Sequence, residues 1–259
     1  ECKKCRKRFR ADNLNGKECP ECSGELAEEK QFNMMFQTFI GPVEDTAAKI
    51  YLRPETAQGM FVNFKNITDS FHPKLPFGIA QVGKAFRNEI TPKDFVFRAR
   101  EFEQMEIEYF CEAGDWEKWF EYWRKETKKW TEGVGIDRNV IETEVAPEDR
   151  AHYSKRTIDF DYNFPFGVSE LFGLAYRGDF DLKNHRLEYY DEDAKKSFTP
   201  HVIEPSFGID RIILALFCEA YKEDELGGEK RTYLKFKPSI APVKAAVFPL
   251  LKNKPELVR

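Results

Sequence analysis

The chain has 259 residues, of which 41% are hydrophobic, 15% aromatic and 33% charged, with a net charge of -4. That composition is globular, and the length supports one large core or a core with a small appendage. No apolar run approaches the roughly 18 residues of a membrane span, no signal peptide opens the chain, and no internal repeat or low-complexity segment interrupts it. The acidic total does not exclude RNA, because local patches rather than the sum set such contacts. The six cysteines comprise two CxxC pairs plus Cys111 and Cys218. They predict a reducing, cytoplasmic setting with a metal site rather than a disulfide scaffold.

Residues 1–30 read as a separate unit. Cys2 and Cys5, then Cys19 and Cys22, form two knuckles separated by 13 residues. Each knuckle presents two sulfurs, and together they can surround one tetrahedral zinc ion. A segment this short has almost no core, so the metal would supply its folding energy. Four thiolates leave no open position, so the predicted role is structural. The basic run Lys3, Lys4, Arg6, Lys7, Arg8 and Arg10 has two readings, a solvated face or a contact to RNA phosphate.

From residue 31 the pattern is that of a larger body, with Met and Phe residues at 32–36 reading as core. Arg53-Pro54 is extended, and a helix opens near Glu55 and continues through Phe64. Two strands then span 79–110, joined by a turn at Ile90-Thr91-Pro92-Lys93-Asp94. Alternation puts Arg87 and Glu89 on one face of the first strand. On the second it puts Arg98, Arg100, Phe102, Gln104 and Glu106 on one face and Phe97, Ala99, Met105, Ile107 and Tyr109 mostly on the other. The apolar face reads as core. The charged face is either a solvated surface with cross-strand ion pairs or a ligand surface. Guanidinium for phosphate, a ring for base stacking and carboxylates for an amine or metal suit a nucleotide.

Gly114-Asp115 offers an N-cap to an amphipathic helix whose stripe is Trp116, Trp119, Phe120, Trp123 and Trp130, which reads as core. Strands return at Asp159-Phe160-Asp161-Tyr162 and in 167–182. There Glu170, Arg177 and Asp179 have the plain reading of a cross-strand ion pair. A strand to Glu204-Pro205, a turn at Ser206-Phe207-Gly208 and a helix follow. The helix has the apolar stripe Ile209, Ile212, Ile213, Leu216, Phe217 and Ala220. Arg211 sits in the first turn, where the dipole disfavours a cation and both would welcome phosphate. Its plain reading is a pair with Asp210 or a nearby Glu. A Gly-Gly linker leads to a strand-like Tyr233-Leu234-Lys235-Phe236.

Three stretches carry a resemblance. These are 51–59 (YLRPETAQG), 86–109 (FRNEITP followed by REFEQMEIEY) and 204–211 (EPSFGIDR). Their order and wording resemble the class II aminoacyl-tRNA synthetases, the glycyl-tRNA synthetase family in particular, from about Gln31 onward. The resemblance implies an α+β fold, an antiparallel sheet flanked by helices with a zinc-ribbon-like unit at the N-terminus. The implied domains are 1–30 for that unit, 31–237 for the catalytic domain and 238–259 for the start of an anticodon-binding domain. The join near His185-Arg186 is short for this family, and the usual motif 1 segment is not found.

The implied activity is ATP-dependent joining of glycine to tRNA(Gly), in a homodimer with no membrane attachment. Arg87 and Arg211 are the implied catalytic groups. ATP is expected at Arg87, Asn88, Glu89, Phe97, Arg98, Arg100, Phe102, Glu170, Leu171, Gly208 and Arg211. Phe102 would stack on adenine, with Arg211 covering its other side, and Glu89 would accept from the adenine amino group. Glycine is expected at Glu55, Phe102, Gln104, Glu106, Arg177, Glu204 and Ser206. Magnesium is expected at Glu170 and Glu204. The alternative is a non-catalytic synthetase-like accessory or RNA-binding subunit. Such a subunit is expected to lose the arginines that Arg87, Arg98 and Arg211 represent here.

Overall fold

The computed structural model describes residues 1–11, 14, 16–248 and 250. In chain order the strands and helices are β1 (Gln37–Phe39), β2 (Lys49–Tyr51), α1 (Ala57–Phe71), β3 (Phe77–Phe86), β4 (Glu101–Cys111), α2 (Trp116–Val134), β5 (Val140–Glu144), β6 (Arg156–Phe164), β7 (Gly167–Gly178), α3 (Phe180–Asn184), β8 (Tyr189–Asp191), β9 (Lys196–Phe198), β10 (His201–Gly208), α4 (Ile209–Ala220), β11 (Tyr221–Leu226) and β12 (Glu229–Leu234). Six of the strands form one antiparallel sheet in the order β3-β4-β10-β7-β6-β5.

The sheet has unlike faces. Met105 and Tyr109 of β4, Phe172 and Leu174 of β7, and Ile203 and Phe207 of β10 lie in the larger core. Helix α2 covers that core, and Trp116, Trp119, Phe120, Trp123 and Trp130 all pack there, as their spacing predicts. Trp116 lies flat on Tyr176 with centroids 4.1 Å apart. The other face is divided. At one end Phe110 and Val202 meet Ala57, Phe61 and Phe64 of α1 and Leu182 of α3. At the other end the sheet carries polar side chains.

Several local expectations are corrected. Strand β3 stops at Phe86 and β4 starts at Glu101, so Arg87, Glu89, Arg98 and Arg100 stand in an irregular loop rather than on a ladder. Pro92 cannot donate to a ladder, and Asp94 and Phe95 both have positive φ. A bond from Arg87 N to Arg100 O (2.9 Å) and the bridge between Lys93 and Arg98 tie the loop together. Within β4 the polar row is the more deeply buried one: Gln104, Glu106 and Glu108 are buried, whereas Met105, Ile107 and Tyr109 are only partly so.

Asp115 holds the N-cap position of α2 but makes no side-chain cap bond, and α1 runs on past Phe64 to Phe71. No turn separates β10 from α4; the strand continues through Ser206 and Phe207 to Gly208. Pro205 therefore lies inside a central strand. Its missing N–H coincides with the break in pairing to β4 between Ile203 and Ser206. In α4, Ile212 and Ala215 are buried, but Ile213 and Phe217 are largely exposed, Phe217 against Phe236. Gly227 and Gly228 are the turn of the β11–β12 hairpin, with φ of 64° and 84°, rather than a linker. No strand is present at 240–248, where the start of a further domain is expected; residues 249 and 251–259 lie outside the described residues.

Candidate active site

The polar end of the sheet is the floor of a recess of about 360 Å³. Of the residues singled out above, Glu55, Arg87, Glu89, Phe97, Arg98, Phe102, Gln104, Glu106, Glu170, Leu171, Glu204, Ser206, Gly208 and Arg211 all line it. Asn88, Arg100 and Arg177 do not. Asn88 turns to Met34 and Asn33. Arg100 Nε donates to Glu89 O (3.0 Å), holding the loop. Arg177 lies beneath the floor.

One end of the recess is rich in carboxylates. Arg177 is 1% exposed, and all three guanidinium nitrogens are engaged. Its Nε and Nη2 donate to both oxygens of Asp181 (2.7 and 2.8 Å), and its Nη1 donates to Glu204. Glu55 stands 4.0 Å away, and the Tyr153 ring centroid is 3.8 Å from the guanidinium carbon. This is a buried cluster of a different make-up from the predicted pairing with Glu170 and Asp179; Asp179 faces Lys183 and Lys155 instead.

Glu106 accepts from Thr56 N (2.9 Å), Thr56 Oγ1, Gln104 Nε2 (2.6 Å) and Ser206 Oγ (2.9 Å). Thr56 precedes α1, so the helix entry, β4 and β10 meet at this carboxylate. Glu55, Asp181 and Glu204 surround a single guanidinium, and Glu106 stands beside them, bonded to Ser206. Burial raises the Glu204 carboxyl, and the contact with Arg177 pulls it back down. Gln104 Oε1 is buried with no donor. Surplus negative charge and an idle acceptor can together be satisfied by a small cation that brings N–H groups.

The other end is rich in arginine. Arg87 Nε donates to Pro54 O (3.1 Å), and its guanidinium carbon is 5.2 Å from the Phe102 ring. Arg98 Nη1 donates to Glu89 (3.3 Å). Glu89 is buried, and its Oε1 has no partner. Arg211 donates to Phe97 O (3.2 Å) and to both the backbone and the carboxylate of Glu170 (2.9 and 3.1 Å), and it lies 4.3 Å from the Phe97 ring. The plain reading of Arg211 as an ion pair therefore holds in part, with Glu170 rather than Asp210. Asp210 accepts from Glu103 N (2.8 Å) and pins α4 to β4.

Glu170 and Glu204 are not brought together. Glu204 is paired with Ala175 across the sheet and locked onto Arg177, whereas Glu170 lies farther along β7, opposite Asp161, and meets Arg211. A β-bulge in β7 near Leu171 shifts the register there and turns Glu170 toward the recess. Sequence reasoning missed Asp159, Thr157, Asp149, Arg150 and Tyr153, which also line the recess. Alternation along β6 puts Thr157 and Asp159 on one face, which was a usable signal. Burial and the neighbouring Glu170 and Asp161 push Asp159 up to about 6. The loop bearing Tyr153 closes on itself, Arg150 donating to Val145 O (2.9 Å) and Lys155 O (2.6 Å).

A separate centre lies at the N-terminus. The Sγ atoms of Cys2, Cys5, Cys19 and Cys22 all lie within 4.8 Å of one another. The pairs Cys2–Cys22 and Cys5–Cys19 are 3.5 and 3.7 Å apart. Four sulfurs at about 2.3 Å from one tetrahedral ion would be about 3.8 Å apart, so the cluster fits such an ion. Cys5 N donates to Cys2 Sγ (3.4 Å). Gly24 is needed at its position, since a Cβ there would come 2.7 Å from Lys4 Cβ and within 3.3 Å of two of the sulfurs. The basic run reads as a solvated face, with Lys3, Lys7 and Arg8 meeting Glu25, Glu21 and Glu1.

Comparison with known proteins agrees with this arrangement. A family profile described as the tRNA synthetase class II core domain (G, H, P, S and T) matches residues 38–220. A Thermus thermophilus protein named glycine–tRNA ligase is 53% identical over 257 residues, covering 90% of this chain and 51% of its own length. A Bacillus thuringiensis protein of the same name is 44% identical, covering 98% of this chain and 63% of its own length. The chain thus spans about half to two thirds of these relatives. Among solved structures, a Giardia lamblia prolyl-tRNA synthetase in complex with prolyl-adenylate superposes with a TM-score of 0.61 at 19% identity, over 71% of this chain and 36% of that one. The last likeness speaks for the fold alone. With its motifs in order, its six-stranded antiparallel sheet and a profile match across most of its length, this chain belongs to the class II tRNA synthetase core-domain family.

Proposed function

We propose that this chain is the catalytic core of a glycine–tRNA ligase, activating glycine with ATP and passing it to the 3′ end of tRNA(Gly). The observation that carries this reading is the polarity of the recess. Buried carboxylates gather at one end and arginines at the other, with Phe102, Gln104 and Glu106 in a row on β4. Glycine–tRNA ligase is also the name of both sequence relatives.

In the first step a carboxylate oxygen of glycine attacks the α-phosphorus of ATP, and the bond to the β-phosphate breaks with its electron pair leaving on pyrophosphate. The nucleophile is already ionised, so no side chain need remove a proton. The chain's contribution is positioning and charge stabilisation. Arg87 binds the α-phosphate, and Arg98 and Arg211 hold the distal phosphates. Phe102 stacks on adenine, and the orphaned Oε1 of Glu89 accepts from the adenine amino group. Glu55, Glu106 and Glu204 surround the ammonium group, and Ser206 crowds the α-carbon, so larger amino acids clash. Arg177 orients Glu204 from below. In the second step a ribose hydroxyl of the tRNA attacks the carbonyl carbon, and AMP leaves.

Magnesium, when bound, neutralises phosphate charge. The half-exposed carboxylate of Glu170 is the ligand the recess offers for it, since Glu204 is taken by Arg177. The four-cysteine site would hold a structural zinc ion. The working enzyme is taken to be cytoplasmic and a homodimer, and sedimentation of the purified chain would check the oligomeric state. Exchange of labelled pyrophosphate into ATP with each amino acid in turn tests the whole reading. Exchange with glycine and not alanine is expected; exchange with another amino acid, or none, would overturn it.

A further inference from the structure

The reaction above leaves one buried carboxyl group unused. Glu108 is 0% exposed and does not line the recess. It stands on the same face of β4 as Gln104 and Glu106, one step farther toward the apolar cluster of Phe61, Phe64 and Phe110. Neither of its oxygens has a hydrogen-bond donor. No cation is left for it, because the nitrogens of Arg177 are committed to Asp181 and Glu204. Its neighbour across the sheet is another acid. The β4–β10 register pairs Ile203 with Tyr109 and Ser206 with Glu106, which places Glu204 directly opposite Glu108.

With Arg177 already paired to Asp181 and Glu204, a further ionised carboxylate buried beside Glu204 would meet only like charge, so one of the two adjacent glutamates keeps its proton. Glu204 touches the guanidinium and keeps the charge; Glu108 does not touch it. We propose that Glu108 is a positioning residue that stays a neutral carboxylic acid and donates its proton to Glu204, holding that carboxylate up toward the ammonium subsite. The charged groups that face it fit this assignment. They are Glu106 on its own strand, Glu204 on β10 and Arg177 on β7, two acids against one already occupied base. Burial, followed by the charge of Glu204, raises the Glu108 carboxyl well above the usual carboxylate range. The arrangement also accounts for Glu108 where a hydrophobic residue would pack as well: an apolar side chain could not brace Glu204. The inference rests on the glycine reading only for its functional consequence. The protonation state stands apart from it.

Two measurements on the 259-residue chain test it. Infrared spectroscopy at neutral pH should show a protonated-carboxyl C=O band that Glu108→Gln removes. A missing band, or one that survives the substitution, overturns the proposal whatever the chain catalyses. Pyrophosphate exchange then reads the role. Glu108→Gln, a neutral donor of the same shape, should leave the glycine KM within about twofold of the parent. Glu108→Met, of similar length but with no donor, should raise it about tenfold while the KM for ATP stays unchanged. If Gln is as damaging as Met, Glu108 works as an anion and the proposal falls; if Met is silent, the bracing role falls. A parent chain with no glycine-dependent exchange defeats the functional reading above, and the infrared result then decides this one alone.

Discussion

Ser206 shows how much a single hydroxyl does in this recess. It donates to Glu106 and accepts from Gln104, so it couples β10 to two polar side chains of β4. Ser206→Ala is expected to raise the glycine KM about tenfold, with the KM for ATP near normal; unchanged kinetics for glycine and alanine would remove Ser206 from the pocket. Arg87→Ala should abolish glycine-dependent exchange while circular dichroism stays that of the parent, because the Arg87 side chain meets Pro54 O and the Phe102 ring and its backbone bonds survive the substitution. Glu108 carries a pH signature. Above the usual carboxylate range the unfolded chain has lost this proton while the folded chain keeps it. Folded stability therefore falls as pH rises through that window, by about 1.4 kcal/mol per pH unit. Glu108→Gln removes that slope, so the variant should gain on the parent in urea unfolding as pH rises above the usual carboxylate range. A pH-independent difference would contradict a raised Glu108.

At the scale of elements, alternation and helical spacing were legible, and their interruptions were not. The tryptophan stripe of α2 packs as its periodicity requires. Phe120, fully buried beneath Trp116 and Arg156, makes the point testable: Phe120→Ala should cost about 3–5 kcal/mol of stability without changing the residues of the recess. The bulge near Leu171 was not legible, because nothing in a run of strand-forming residues says where one extra residue enters a ladder. It decides that Glu170 faces Arg211. Pro205 argued for a turn by the general rule, yet it lies in the third strand of six; the pairing to β4 skips it while that to β7 continues. The N-terminal unit depends on close approach of its knuckles. Gly24→Ala should release metal more readily to a competing chelator, and an unchanged release rate would show that the knuckles can shift to accept a methyl group.

On the scale of the whole molecule, the recess exists because one face of the sheet is only partly covered. Helix α1 seals one end over Phe110 and Val202, and the loop bearing Tyr153 leans over the rest. A ligand that spans both ends should stabilise the fold by linkage. A non-hydrolysable glycyl-adenylate analogue at about 100 times its Kd should add about 2.7 kcal/mol, and it should reach that shift at a far lower concentration than glycine or ATP alone. Equal shifts from all three at one common concentration would mean that the two ends do not act as one site.

Read along the chain, the wording of three motifs already pointed to the family, the cysteine spacing to the four-cysteine cluster, and both together to most of the side chains that line the recess, because motif wording and spacing are local properties. Tertiary structure alone decided what each charge is paired with. The partners of Arg177 come from β10 and α3, those of Glu106 from the entry to α1 and from β10, and Glu108 meets its opposing acid only across a ladder. Pairing of that kind depends on burial and on which strands become neighbours, and neither is written in any single stretch of residues.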